Sequence, residues 1–222
     1  LGPPNSVVIK PDAAATAGVF SIASGANRVT IANITFNTAT AQSAAIQTVS
    51  GAHYLTVENC IFDLVGAAGP TGFGISFDAA KSSYPVIRNC TFYLGTLIKA
   101  GIWIEAQDAT PFGGLVENCK MISVLNGSGT GAEGGIYVKD GTGVQINNCV
   151  IHGGDTGTAY NVGDGIEVAA GVLNAMITNC QVSGCDAAIT DGGTDTDIVN
   201  CYTADDEGAE YANMEDKLGN LT

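Results

Sequence analysis

The chain has 222 residues, with 22 acidic side chains against eight basic ones and a formal charge of −14. That balance leaves no basic footprint for nucleic acid and repels an anionic membrane surface. No apolar run approaches the ~18 residues needed to cross a bilayer, while 45% hydrophobic residues and 30 glycines supply a substantial core.

Residues 1–28 are rich in Ala, Pro and Gly and read as an N-terminal cap or an incomplete first coil. The chain opens at Leu1 without a methionine, which points to a processed or trimmed start. From residue 29 to 203 one short phrase recurs. It appears as Ile-Ala-Asn-Ile at 31–34, Val-Glu-Asn-Cys at 57–60, Ile-Arg-Asn-Cys at 87–90 and Val-Glu-Asn-Cys at 116–119. It returns as Ile-Asn-Asn-Cys at 146–149, Ile-Thr-Asn-Cys at 177–180 and Ile-Val-Asn-Cys at 198–201. A second phrase interleaves with it: Gly-Ile-Ser-Phe at 74–77, Gly-Ile-Trp-Ile at 101–104, Gly-Ile-Tyr-Val at 135–138 and Gly-Ile-Glu-Val at 165–168. Weaker copies start at Ala45 and Ala188.

These runs are short, β-branched and bounded by Gly, Asn, Asp and Thr, so they read as strands rather than helices. Alternation sets their facing: Val57 in, Glu58 out, a bend at Asn59, then Cys60 in, Ile61 out and Phe62 in. Phe92, Met121, Ile151, Val182 and Thr203 fill the Phe62 slot in later copies. Asparagine suits the bend because it tolerates a left-handed backbone and hydrogen-bonds locally. Each period near 30 residues therefore holds two reliable strands, with turns and a third strand in the variable remainder. Such a period is one coil of a solenoid. About seven coils stacked at ~4.8 Å give a rod of roughly 35 Å.

Residues 204–222 leave the repeat and read as a cap or docking tail. Tyr211, Met214, Leu218 and Leu221 recur at helical spacing, and a short amphipathic helix there would cover the open strand edges. Inside the solenoid, Cys60, Cys90, Cys119, Cys149, Cys180 and Cys201 form one inward column of small hydrophobes. A linear apolar stack without histidines gives no tetrahedral cage, so no metal is expected. Cys185 lies outside the ladder and is the candidate reactive thiol. So many reduced thiols point to assembly in a reducing cytoplasm.

Any chemistry belongs on the outward columns. One reads Gln47, Ser76, Trp103, Tyr137, Glu167, Thr190. A parallel one reads Val49, Asp78, Glu105, Lys139, Ala169, Gly192. Trp103 and Tyr137 are expected to face outward as neighbours, suited to a glycan's apolar face, or else covered, one or both, by a long turn or a subunit interface. Asp78 and Glu105, one coil apart, are candidate acid and base with Glu167 nearby, or a pair neutralised by Lys139. Glu58, Arg88 and Glu117 read as cross-strand charge pairing. The acidic run from Asp191 to Asp197 fits a turn better than a calcium loop.

Ile-x-Asn-Cys-x-Phe followed by Gly-Ile-x-Val resembles the repeat of the pectin-lyase-like right-handed parallel β-helix superfamily, over residues 29 to 203. The resemblance implies an all-β right-handed solenoid. That superfamily includes pectate lyases, polygalacturonases, phage tailspikes and other virion proteins. Its lyases use calcium carboxylates with a basic residue on the same face; here Arg28 and Arg88 are the arginines, and Arg88 belongs to another face. Its polygalacturonases carry Gly-His-Gly, whereas His53 and His152 stand in Ala-His-Tyr and Ile-His-Gly. The expectation is therefore a non-enzymatic structural or adhesive protein: a phage head-decoration or tailspike-like component in the virion. It would associate with itself as a homotrimer, and with a capsid or tail protein or a glycan, without cofactor or metal; calcium stays open but no motif supports it. The alternative is an extracellular polysaccharide lyase or glycoside hydrolase working at Asp78, Glu105 and Glu167, and a third reading is a bacterial surface adhesin.

Overall fold

The computed structural model describes residues 7–9, 19–37, 44–48, 51–64, 72–78, 83–95, 98–105, 113–123, 134–153, 163–185, 187–205 and 208–210. The described strands build three sheets wrapped around one apolar interior. The first sheet orders Val7–Ile9, Ile34–Asn37, Ile61–Leu64, Thr91–Leu94, Lys120–Ser123, Val150–His152, Gln181–Cys185 and Tyr202–Asp205. The second orders Phe20–Ile22, Ala44–Thr48, Gly72–Asp78, Ile98–Glu105, Gly134–Thr142, Asp164–Leu173 and Ala187–Asp191. The third orders Thr30–Ala32, Thr56–Glu58, Val86–Arg88, Leu115–Glu117, Gln145–Asn147, Met176–Thr178 and Asp197–Val199. Neighbours in these orders pair in parallel, as coils of a solenoid must.

The chain passes from second sheet to third, bends, enters the first and returns to the second. The third strand of each coil does not come from the variable remainder, as expected from sequence. The Asn phrase itself supplies two strands, split at the asparagine. Asn33, Asn59, Asn89, Asn118, Asn148, Asn179 and Asn200 all adopt φ between +50° and +58°. Only a left-handed residue turns the strand this sharply without breaking the ladder, and asparagine pays little for it. The first six donate their backbone N–H groups to the next coil, as from Asn59 to Arg88 O at 3.2 Å. Side chains add Asn148 Nδ2 to Asn118 Oδ1 at 2.6 Å and Asn200 Nδ2 to Asn179 Oδ1 at 3.4 Å.

Alternation decides the interior. Val57, Cys60 and Phe62 are buried and Ile61 is exposed. Phe62 stacks between Phe36 and Phe92, with ring centroids 5.0 and 4.5 Å away, so identical slots repeat at the coil spacing. In the coils that carry them, burying rings of this size makes a large contribution to the core. The glycine of the Gly-Ile phrase has a steric cause. A Cβ at Gly165 would stand 2.1 Å from Val182 Cγ1 and 2.6 Å from Ala188 O. The first and second sheets meet there too closely for any side chain.

Gly208–Glu210 folds back antiparallel on Tyr202–Asp205 and ends the parallel stacking of the first sheet. The described residues contain no helix, and the helix expected between Tyr211 and Leu221 lies outside them.

Candidate functional site

The second sheet aligns the aromatic and acidic residues singled out from sequence. Its register pairs Gln47 with Ser76, Ser76 with Trp103, Trp103 with Tyr137, Tyr137 with Glu167 and Glu167 with Thr190. The alternating strand pattern thus brings the whole first column together, though not as an open face. Trp103 is 7% exposed, so its ring is covered rather than open. Tyr137 packs on it at 4.4 Å between centroids and Phe73 at 5.1 Å, while Lys99 Nζ sits 4.3 Å from its ring centroid. Lys99 gains a cation–π contact and shields the indole. Ser76 is buried beside it, with a hydroxyl that has no hydrogen-bond partner.

Glu105 is firmly anchored. It is 9% exposed. Trp103 Nε1 donates to its Oε2 at 3.2 Å, and Lys139 Nζ to its Oε1 at 2.5 Å. One donor on each oxygen, with a cation at ion-pair distance, stabilises the ionised form in place and leaves little of it for a substrate. Asp78 pairs with Glu105 along the backbone as expected, but its side chain and all of Val49 lie outside the described structure.

The second column breaks after Glu105. The register shifts there, and Asp140 rather than Lys139 stands opposite Glu105. A further shift sets Gly171, not Ala169, opposite Asp140. Bulged strands twist and re-aim side chains, and this one lets Lys139 reach back to Glu105. Glu167 stays half-buried between Tyr137 and Thr190. The Asp191 carboxylate accepts from Gly193 N at 2.9 Å and so closes its own turn. Among the described residues no three His, Cys, Asp or Glu side chains converge as a metal site requires.

A family model described as a right-handed β-helix region matches residues 6–133 and 100–212. The chain belongs to the right-handed β-helix family. Searches of curated proteins and of solved structures gave no match.

In this β-helix the cysteine column is internal, and all seven thiols are free and buried. Cys60 Sγ donates to Glu58 O at 3.3 Å and lies 3.7 Å from Ile31 O in the coil before; Cys119 and Cys201 repeat the pattern. Hydrogen bonding with the neighbouring thiol and burial together push Cys60, Cys119 and Cys201 well above the ordinary thiol range. Cys185 is 0% exposed, packed beneath Gly153 and Gly165, so it is not the accessible thiol expected from its place outside the ladder.

A second left-handed column was missed from sequence. Five residues before each asparagine, Arg28, Tyr54, Tyr84, Gly113, Gly143, Asn174 and Asp195 all have φ between +52° and +72°. The signal was the Gly, Gly, Asn, Asp run in its last four members; Arg and Tyr hid the other three. Tyr54 and Tyr84 are 49% and 42% exposed and stack on each other at 5.3 Å. On the adjoining third sheet, Arg88 Nε and Nη2 both bond Glu58 Oε2, at 2.8 and 2.7 Å, which is the cross-strand charge pairing expected there.

Proposed function

We propose that this β-helix is a non-enzymatic structural or adhesive rod, of the kind that decorates a phage head or forms part of a tailspike. The observation that carries the reading is Glu105. A general acid or base must reach the substrate and exchange its proton freely. Glu105 is buried, and its two oxygens are held by Trp103 and Lys139. The Trp103 ring beside it is packed into the protein rather than presented to a sugar. Seven free, buried thiols fit assembly in a reducing host cytoplasm. The fold alone hosts both scaffolds and enzymes, so the site and not the fold supports the choice.

The test is a reducing-sugar and unsaturated-product assay on neutral and acidic polysaccharides, with and without calcium. No turnover above a heat-denatured control is expected. Turnover that disappears in Asp78→Asn and Glu105→Gln would establish a lyase or hydrolase in place of the rod.

A further inference from the structure

The charge of the chain is not spread along it. Residues 1–105 carry five acidic and five basic side chains, whereas residues 106–222 carry 17 acidic and three basic. The full −14 therefore belongs to the second segment. In a solenoid, sequence order is axial order. The strands from Gln145 onward lie towards one end of the third sheet, and those before Leu115 towards the other. Among the described side chains the first half of the rod carries three acidic and three basic groups and the second half seven acidic and two basic, so the described rod is neutral in one half and anionic in the other.

The neutral half also carries the strained, exposed tyrosines. Tyr54 and Tyr84 have φ of +56° and +55°. Bulky side chains in that region are strained. The equivalent corner of later coils is made by Gly113, Gly143, Asn174 and Asp195, which adopt it more readily. The fold thus has an easier solution for this corner and does not use it where the rings are. Nor is the pair shaped as a sugar platform. Tyr84 has Tyr54 on one face, and Gly113 lies so close against the ring that a Cβ there would approach it to 2.7 Å. Tyr84, covered on both faces, leaves its edge to a partner beside the exposed Tyr54, in a ridge. Tyrosine edges give large contact area at low entropic cost, the usual chemistry of protein interfaces. The nearby charges suit this role, since Glu58 and Arg88 neutralise each other.

We infer that the Tyr54–Tyr84 ridge is the contact through which two copies of this chain associate, antiparallel, about a two-fold axis, as an alternative to the homotrimer expected from sequence. The inference goes beyond the proposed scaffold role and holds whether or not the rod has an activity. Tyr54 precedes the second strand of the third sheet and Tyr84 the third. A two-fold axis between them overlays the first four coils of one copy on the first four of the other. The later coils, Gln145–Asn147, Met176–Thr178 and Asp197–Val199, then project at opposite ends. Neutral surface meets neutral surface, and the two anionic halves are held apart. A parallel pair, or a three-fold bundle along the rod, would instead lay anionic halves side by side.

The experiment is sedimentation equilibrium of the wild type and of Tyr54→Asn/Tyr84→Asn, at low and at high ionic strength, with thermal unfolding of both. Asparagine accepts the left-handed corner, so the variant is expected to fold, with a Tm equal to or above that of the wild type at a dilution where both are monomeric. The wild type should approach twice its 22.5 kDa mass with little dependence on salt, and the variant should remain monomeric. A monomeric wild type, a trimer, or association that the variant retains would overturn the inference. So would association that appears only when salt screens the anionic halves, or a variant markedly less stable than the wild type at a dilution where both are monomeric. A glycan that binds monomeric wild type and not the variant would assign the ridge to sugar instead.

Discussion

Lys139 and Glu105 stand on neighbouring coils of the second sheet, and Lys139 Nζ donates to Glu105 Oε1 at 2.5 Å because a bulge re-aims the lysine. The same carboxylate takes the Trp103 indole N–H at 3.2 Å. Glu105→Ala leaves that indole donor unpaired in a buried place and should cost about 1–3 kcal/mol in urea unfolding. Lys139→Met, at a half-exposed position, should cost no more than about 1 kcal/mol. Equal, negligible losses would mean that the cluster is not anchored by Glu105.

Two glycines separate steric from conformational demand. Gly165→Ala places a Cβ 2.1 Å from Val182 and 2.6 Å from a backbone oxygen. It should destabilise by about 3 kcal/mol, at the upper end for overpacking. Gly143 has nothing within 4 Å of a Cβ but a φ of +72°. Gly143→Ala should cost about 1 kcal/mol through backbone strain alone. Equilibrium denaturation of the two variants side by side checks the order.

The asparagine column makes the complementary test. Asn148 has φ +50° and bonds Asn118 across the coils. Asn148→Ala should lose about 1–2 kcal/mol, and Asn148→Gly less, because glycine recovers the backbone and forfeits only an exposed side-chain bond. An alanine variant as stable as the wild type would show that the left-handed bend is not what the asparagine supplies.

These bends, the inward cysteines and the Phe36–Phe62–Phe92 stack were legible in the sequence because each depends on a residue type repeated in register. The burial of Trp103 was not. It depends on Phe73 and Lys99 on neighbouring strands, which follow no repeat, and on how far long side chains lean across a sheet. Strict alternation also failed where the register shifts near Lys139, because a bulge adds a residue that no hydrophobic pattern marks. The tyrosine corner stayed hidden for a different reason: Tyr54 and Tyr84 occupy a conformation their residue type disfavours, so propensity argued against the true assignment. Sites where local preference yields are the ones to examine for function.

The thiols carry a pH prediction. The pKa values of Cys60, Cys119 and Cys201 are raised in the folded state, by hydrogen bonding with neighbouring thiols and by burial. A group raised on folding stabilises the protein fully below its unfolded pKa, and that stability declines as pH rises above it. Unfolded thiols ionise near ~8.5, so Tm should hold at neutral pH and fall progressively in more alkaline solution. A thiol reagent at neutral pH should find none of the seven cysteines in the folded protein and all of them in denaturant. Fast labelling of one thiol in the native state would single out a coil that opens.

The central claim is that the second-sheet face is closed at its aromatic centre, and Trp103, the only tryptophan in the chain, reports on it directly. Acrylamide quenching of its fluorescence should be weak in the folded protein, unchanged by oligosaccharides and strong only after unfolding. Native quenching close to that of the unfolded chain, relieved by a bound oligosaccharide, would contradict a closed face and reopen it as a glycan groove.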